Sequence, residues 1–411
     1  MNTAVAAPAT TAVVTGIGVA APNGLGTQAW WDAVLRGESG IRPISRFDAS
    51  SYPVRLAGEV PGFVDEDHVP SRLLQQTDRV TRLSLAAAKE ALDDAGADPA
   101  RLPDYAAGVV TANSSGGFEF GQRELEALWS KGGKYVSAYQ SFAWFYAVNS
   151  GQISIRHGLR GASGVVVSEQ AGGLDAVAHA RRQIRKGALL VVSGGIDSAL
   201  CPWGWAAHLA GGGLSTVPDP ARAYLPFDQD ASGHVAGEGG AHLILENAGE
   251  ARRRGARVYG TIAGHAATFD AGDGSCRLGA AAEGALADAG VHSGEVDVVF
   301  ADAAGSRTAD RAEAEALSAL FGARGVPVTA PKSMTGRLSA GGAALDLAAA
   351  LLCLRDQVVP ATTGTTAPAA DCPLDLVTGA PRTGIRLRTA LVLARGRGGF
   401  NSAVVVRAPG A

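Results

Sequence analysis

The sequence is poor in charged residues and in cysteine, and its hydrophobic runs are short. Charged residues make up 18% of the 411 residues, below the roughly 25% of an ordinary soluble protein. Because 46% of the residues are hydrophobic, this composition excludes an intrinsically disordered chain. It also predicts that part of the surface is covered in the working state. The formal net charge of −3 provides no electrostatic attraction to nucleic acid or to an anionic membrane.

The few cysteines and histidines form no recognisable metal or redox motif. The four cysteines are Cys201, Cys276, Cys353 and Cys372. None of them has the spacing of a zinc site or of a thioredoxin-like pair, and a chain of this length needs no disulfides. The eight histidines contain no HExxH-type pair of ligands, which favours a structural or surface role for each. We therefore predict no bound metal and a reduced, cytoplasmic environment.

No segment of the sequence has the character of a membrane span or a targeting signal. Residues 1–11 contain neither a basic residue nor an apolar core, so we expect no secretory signal peptide there. The longest apolar run, residues 340–354, is too short to cross a bilayer and contains Asp346. We therefore expect a protein that does not bind membranes.

An internal repeat organises the chain, which is rich in glycine. Residues 86–96 (AAAKEALDDAG) and 280–290 (AAAEGALADAG) agree at eight of eleven positions. Each segment predicts a helix that ends at a glycine, where a left-handed residue is favoured. Each helix is followed by a β-branched run, residues 108–111 in the first case and 296–300 in the second. The same order of helix and strand therefore predicts two homologous halves.

Short runs that are apolar on both faces alternate with the helical segments. Examples are residues 12–15, 164–167 and 391–393. Such runs are typical of sheets that helices cover on both sides. We therefore predict an α/β fold in which sheets are sandwiched by helices, with one half in residues 1–252 and the other in 253–411. No low-complexity linker separates the halves, so we expect one compact unit.

Residues 164–195 predict a buried strand, a sharp turn and a helix. The strand covers residues 165–167, and the helix begins near Ala171 and ends at Gly187. A side chain at such an elbow lies at the positive end of a helix, where proteins place nucleophiles and stabilise oxyanions. The elbow residue here is Gln170, which is not a nucleophile. An ordinary turn is therefore the alternative interpretation.

This elbow resembles that of the β-ketoacyl synthases, in which a cysteine precedes small residues and the motif Gly-Leu-Asp-Ala. Residues 173–176 (GLDA) match that motif. Further family motifs follow in order at residues 12–18 (AVVTGIG), 226–239 (PFD, then GHV and GEG), 332–336 (KSMTG) and 398–402 (GGFNS). The resemblance covers nearly the whole chain. It implies the thiolase-like fold, two duplicated α/β halves that form a layered αβαβα sandwich.

The resemblance also shows that the family's catalytic residues are missing. The family works with one cysteine and two histidines, and this chain has Gln170, Ala304 and Arg337 at those positions. A glutamine cannot form a thioester, and an arginine stays protonated and cannot act as a base. The resemblance therefore implies no independent catalysis, with a remnant of the oxyanion-binding loops at Gln170, Gly399 and Phe400.

The preserved motifs with a glutamine elbow resemble one group of the family, the ketosynthase β-subunits, or chain length factors, of bacterial type II aromatic polyketide synthases. Residues 116–130, 141–158 and 201–205 support this resemblance. It implies an obligate heterodimer with a ketosynthase α-subunit that carries the catalytic residues and encloses a tunnel for the growing poly-β-ketone. It also implies that a phosphopantetheine-linked malonyl- or acyl-carrier protein supplies the substrate and that this chain binds no cofactor directly.

The resemblance further implies which residues set the chain length. The family's gate positions correspond to Phe118, Gly121 and Leu125, with Trp203 near the far end of the tunnel. The first three are spaced to share one helix face. A glycine inside a helix costs about 1 kcal/mol relative to alanine, and room for a longer chain is one reason to keep Gly121. We therefore expect a product toward the longer end of the aromatic polyketides.

An aromatic run is the candidate for the partner interface. It consists of Phe142, Trp144, Phe145 and Tyr146. The low charge content fits a chain that buries a large obligate interface, typically above about 2,000 Å². Ordinary core packing explains the same composition equally well.

Two enzymatic hypotheses compete with this interpretation. The first is a malonyl-carrier protein decarboxylase that makes an acetyl primer through Gln170, by analogy with glutamine-containing domains of modular synthases. Those domains keep both histidines, so Ala304 and Arg337 weigh against it. The second is a self-sufficient homodimer that works through Cys201 or Cys276, neither of which lies at a recognisable elbow.

Overall fold

The computed structural model describes residues 10–272 and 276–411. Residues 1–9, most of the segment in which we expect no signal peptide, lie outside the described residues. The strands are β1 (Ala12–Ala21), β2 (Gly24–Leu25), β3 (Ile41–Pro43), β4 (Leu56–Gly58), β5 (Ala107–Ala112), β6 (Ser163–Val166), β7 (Leu190–Asp197), β8 (Gly239–Asn247), β9 (Gly260–Phe269), β10 (Val298–Phe300), β11 (Pro327–Thr329), β12 (Asp375–Leu376), β13 (Thr389–Gly396) and β14 (Phe400–Arg407).

The helices are α1 (Thr27–Leu35), α2 (Asp65–His68), α3 (Ser71–Leu74), α4 (Arg79–Ala95), α5 (Phe118–Lys131), α6 (Gln140–Ala143), α7 (Val148–His157), α8 (Gly172–Arg185), α9 (Pro202–Gly211), α10 (Ala248–Arg253), α11 (Leu278–Ala289), α12 (Arg307–Phe321) and α13 (Ala340–Asp356). Short 3-10 helices cover Pro99–Arg101, Gly133–Tyr135, Glu169–Ala171, Ser293–Glu295 and Pro331–Met334.

The strand order confirms the internal repeat. In the first half the order is β6-β5-β7-β8-β1, and in the second half it is β11-β10-β13-β14-β9, with β12 beside β11. In both halves the first three strands are parallel and the remaining pairs are antiparallel. The two repeated helices end as predicted, at Gly96 and Gly290, both in the left-handed conformation. The predicted boundary between residues 252 and 253 lies at the end of α10 and stays a prediction.

Helices and sheets form five layers, as the thiolase-like fold requires. Helices α4 and α7 cover the first half of the sheet, α11 covers the second half with α12 packed against it, and α8 and α13 pack between the two halves, which the β1–β9 pair joins. Every residue of α13 from Ala340 to Leu354 is buried, because a helix between two sheets must be apolar all round. The two central helices approach closely at Gly173, where a Cβ atom would lie 2.7 Å from the backbone nitrogen of Ala344.

One predicted strand lies in a different environment from the one expected. The run at residues 165–167 is not buried on both faces, because β6 is the last strand at its end of the sheet. Val167 is 46% exposed. The run is apolar, and no strand among the described residues pairs with the outer side of β6. We call this side the open edge of the sheet.

Among the described helices, none combines the length and the apolar character that crossing a bilayer demands. Within the same described residues, no three histidine, cysteine or acidic side chains converge so that they could hold a metal ion.

Candidate functional site

The predicted elbow is present, and its side chain is fully buried. The chain leaves β6, passes through the 3-10 helix Glu169–Ala171 and enters α8. Gln170 has no exposed surface, and its Nε2 atom would lie 2.5 Å from a Cβ atom placed on Gly342 of α13. Neither polar atom of the Gln170 amide has a hydrogen-bond partner among the described residues. The glutamine therefore fills space beneath the elbow, where its amide contacts the central helix.

This environment predicts that the Gln170→Met variant folds at least as stably as the parent chain. An unsatisfied buried polar group costs about 1–3 kcal/mol, and methionine has a similar length without polar ends. We expect the free energy of unfolding in urea to rise by about 1 kcal/mol. Gln357→Met is the control, because the Gln357 amide makes three hydrogen bonds to backbone atoms of Leu354 and Leu387. Equal destabilisation by both changes would show that the Gln170 amide has a partner.

A buried ion-pair network surrounds Arg337, one of the three positions predicted to be degenerate. Arg337 donates to both carboxylate oxygens of Asp302, at 3.0 and 3.2 Å, and to the backbone oxygens of Asp302 and Arg395. Arg395 binds the same carboxylate through its backbone nitrogen at 2.8 Å and its Nε atom at 3.1 Å. One aspartate that follows β10 is thus held by two arginines.

Two further acidic residues complete the network. Glu313 of α12 lies 3.2 Å from Arg395 and accepts hydrogen bonds from the backbone nitrogens of Asp302 and Ala303. Lys332 donates to the backbone oxygen of Asp302 at 2.9 Å, and its Nζ atom lies 2.7 Å from Asp346 of α13. Three acidic and three basic side chains therefore balance one another inside the protein.

The arginines keep Asp302 charged, whereas burial raises the pKa of Glu313 and of Asp346 above their ordinary values. Burial alone would raise the pKa of Asp302, but the guanidinium groups of Arg337 and Arg395 outweigh burial and hold that pKa well below its usual range. Burial would lower the pKa of Arg337, but Asp302 raises it far above the ordinary value. Arg337 therefore holds a permanent positive charge in the interior.

A cavity of about 430 Å³ opens beside this network. Its lining includes four of the predicted site residues: Ala304, Arg337, Gly399 and Phe400. Glu169 also lines it, and its Oε2 atom accepts a hydrogen bond of 3.0 Å from the backbone nitrogen of Arg397. Gln170 does not line the cavity. The structure thus brings together Ala304 and Arg337, two of the three positions predicted to be degenerate, whereas the Gln170 side chain lies outside the cavity lining.

Two histidines that the sequence did not single out also line the cavity. Burial lowers the pKa of His208 to about 4 and that of His234 to about 3, so both imidazoles are neutral at physiological pH. The GHV motif is the sequence feature from which His234 could have been identified. Asp302, Glu313 and Arg395 were also missed, since single charged residues near strand ends do not reveal a buried network.

Three of the predicted gate residues lie on helix α5, and the fourth, Trp203, lies on α9. The ring of Phe118 packs against the indole of Trp203 at 4.7 Å between centroids, and a Cβ atom on Gly121 would lie 3.0 Å from Trp203. The backbone nitrogen of Trp203 also donates to the side chain of Gln122 at 2.9 Å. Leu125 lies one turn further along the helix and is 37% exposed. Helices α5 and α9 therefore contact each other at Phe118 and Gly121, the first two predicted gate positions.

The aromatic run does not belong to the core. Trp144, Phe145 and Tyr146 are 48%, 39% and 39% exposed, and Phe142 is half-buried. Ordinary core packing, the alternative interpretation of this run, is thus wrong for three of the four residues. Their role in binding a partner stays a prediction.

Family models match most of the chain. Residues 10–251 match the N-terminal domain of β-ketoacyl synthases, and residues 259–366 match the C-terminal domain. Over 403 residues the chain is 59% identical to the tetracenomycin polyketide synthase ketoacyl synthase beta subunit of Streptomyces glaucescens. The match covers 97% of this chain and 98% of that relative.

Solved structures agree with the sequence comparison. The ishigamide ketosynthase/chain length factor matches with a TM-score of 0.88 at 28% identity, over 97% of this chain and 99% of that one. A chain of the AntDE:AntF complex, a type II polyketide synthase acyl-carrier protein with its ketosynthase bound to the hexaketide, matches with a TM-score of 0.87 at 26% identity, over the same shares of the two chains. The chain therefore belongs to the β-ketoacyl synthase family, and within it to the ketosynthase β-subunits of type II polyketide synthases.

Proposed function

We propose that this chain is the non-catalytic chain length factor of a heterodimer with a ketosynthase α-subunit. In this proposal the pair encloses a tunnel at its interface, and this chain sets the length of the poly-β-ketone made from malonyl-carrier protein. The observation that carries the proposal is the ion pair between Arg337 and Asp302. It replaces a proton-exchanging imidazole by a permanently charged, fully bound guanidinium, which cannot assist decarboxylation or condensation.

An open sheet edge supports pairing with another chain. At the two ends of β6, the backbone oxygens of Ala162 and Val166 accept hydrogen bonds from the backbone nitrogens of Val109 and Asn113. The even-numbered residues of β6 therefore face β5. The N–H and C=O groups of Val165 therefore face the free edge, where a strand of a partner can add. Ile155 of the neighbouring helix α7, which is 78% exposed, and the aromatic run provide apolar surface for the same contact.

The decarboxylase alternative finds little support in the geometry. Gln170 is fully buried and does not line the cavity that contains Ala304 and Arg337. A carboxamide that acts on a malonyl group must reach it. We propose instead that the partner performs all the chemistry and that the carrier protein supplies the substrate to the complex without a cofactor bound by this chain.

The test is co-expression with a ketosynthase α-subunit, followed by size-exclusion chromatography and a malonyl-carrier protein assay on the pair and on each chain. We expect a stable one-to-one pair that makes polyketide, while this chain alone releases no carbon dioxide. Carbon dioxide release by this chain alone would overturn the proposal.

A substitution in β6 tests the proposed pairing edge. We expect Val165→Pro to abolish the one-to-one pair, because proline removes the N–H group that faces the free edge. Val165→Thr is the control, since it keeps that N–H group and a β-branched side chain. A pair that survives Val165→Pro, seen as an unchanged elution volume, would exclude β6 as the pairing strand.

A further inference from the structure

The turn that leads into the gate helix α5 has its backbone amides bound by side chains from other elements. Gly117 at the start of α5 has no side chain to cap the helix. The amides of the turn and of the first helical turn instead donate to Asp78, Asn113 and Asp197. All three of these side chains are buried, so solvent does not replace their hydrogen bonds when they are lost.

Asp78 caps two helices at once. One carboxylate oxygen accepts from the backbone nitrogen of Val80 at 2.9 Å, at the start of α4. The other accepts from the backbone nitrogen of Phe120 at 2.7 Å, in the first turn of α5. The position of the gate helix is thereby tied to that of α4, which packs on the sheet.

Asp197, the last residue of β7, joins the same turn to the central helix. Its carboxylate accepts from the backbone nitrogens of Ser114 and Ser115, at 3.0 and 3.2 Å, and from the Ser115 hydroxyl at 2.8 Å. It also accepts from the backbone nitrogen of Ala340, the first residue of α13, at 2.9 Å. Asn113 adds a 2.6 Å bond from the backbone nitrogen of Gly116.

The turn is also in close contact with the aromatic run. A Cβ atom on Gly116 would lie 2.3 Å from the backbone oxygen of Trp144, and one on Gly117 would lie 2.2 Å from that of Ala143. Gly116 has φ +68°, a conformation that favours glycine. There is thus no free space into which the turn can relax without moving its neighbours.

We infer that Asp78 and Asp197 are positioning residues for chain length: they hold the start of α5 and, through it, the spacing of Gly121 against Trp203. The inference rests on the proposed function. The side chains of a functional site keep their positions to within about 0.5 Å only when packing and hydrogen bonds from neighbouring residues hold them. The hydrogen bonds of both aspartates go to backbone groups and to the Ser115 hydroxyl, not to the gate side chains, so their effect is transmitted through the backbone of α5.

The test measures the distribution of product lengths by mass spectrometry for variants co-expressed with the ketosynthase α-subunit. Asp78→Asn and Asp197→Asn each replace an acceptor oxygen by an amide donor. Glu90→Gln is the matched control. Glu90 lies near the far end of α4 and accepts from the backbone nitrogens of Val19 in β1 and Thr27 in α1, not from the turn before the gate helix. Ser115→Ala is a milder variant, which removes only the hydroxyl bond to Asp197.

We expect Asp78→Asn and Asp197→Asn to lower the ratio of the main product to products of other lengths. The expected decrease is about tenfold relative to Glu90→Gln, which corresponds to about 1.4 kcal/mol. Ser115→Ala should change the ratio in the same direction by a smaller factor. A ratio is independent of yield, so a general loss of stability does not imitate the effect. If Asp78→Asn and Asp197→Asn do not yield a pair, Ser115→Ala decides, and its unchanged ratio overturns the inference.

The gate variant Gly121→Leu separates this inference from the proposed function. If Gly121→Leu changes the product length and both aspartate variants behave like Glu90→Gln, the positioning role is wrong and the proposed function stands. If Gly121→Leu leaves the length unchanged, Gly121 is not part of the gate, and the inference about its spacing against Trp203 fails with it.

Discussion

Replacement of Asp302 by asparagine is expected to destabilise the chain by about 3–5 kcal/mol, as the loss of one partner from a buried ion pair does. Asp302 is the shared acceptor of Arg337 and Arg395, and both arginines are largely buried. Without the carboxylate, two positive charges face each other in the interior with only Glu313 to balance them. The whole layer around β10, α12 and β13 should loosen.

Chemical unfolding at pH 7 checks this expectation. Asp371→Asn is the matched control, because Asp371 also binds an arginine, Arg307, but at the surface, and we expect it to cost at most about 1 kcal/mol. The folded-state pKa of Asp302 lies below the ordinary value of 3.8. Its stabilisation is therefore complete above about pH 4 and is lost as the pH falls below that value.

A double variant shows whether the loss comes from uncompensated charge. Adding Arg337→Met to Asp302→Asn removes one of the two stranded guanidinium groups, so we expect it to restore part of the lost stability. If the two changes lower the free energy of unfolding additively, Asp302 and Arg337 do not interact, which would contradict the ion pair between them.

The Gly121→Leu variant is expected to shorten the polyketide by at least one malonyl-derived unit. A Cβ atom placed at this position would lie 3.0 Å from the Trp203 ring and 3.8 Å from the Cβ atom of Trp144. A leucine must therefore shift the Trp203 ring and occupy the space beside it. The substitution should not weaken the helix, because leucine is favoured over glycine by about 1 kcal/mol inside an α-helix. A change in product length is thus separable from a loss of folding.

Mass spectrometry of the products, together with the size-exclusion profile of the pair, checks this expectation. Gly294→Leu is the control, because a Cβ atom at Gly294 meets nothing within 4 Å and Gly294 lies in the other half of the chain. An unchanged product from an intact pair carrying Gly121→Leu would remove Gly121 from the gate.

The predicted fold was confirmed because it rests on local patterns. The repeated helices at residues 86–96 and 280–290, with their terminal glycines, predict the two halves, and hydrophobic periodicity is a local property of the chain. The missing cysteine and histidines are equally visible, since Gln170, Ala304 and Arg337 lie inside recognisable motifs. The spacing of Phe118 and Gly121 on one helix face also follows from sequence alone.

By itself, then, the sequence determined the duplicated α/β halves and the replacement of the motif residues by Gln170, Ala304 and Arg337, while the gate on α5 stays a prediction. Only the tertiary structure decided that Asp302 joins Arg337 to Arg395, that Gln170 is buried behind the cavity wall, and that the apolar run at 165–167 lies at an open edge. These features depend on contacts between residues that are distant in the sequence, such as Asp302 and Arg395, which are 93 positions apart. They arise from burial and from ion pairs between residues that are far apart in the sequence, and no local pattern encodes either.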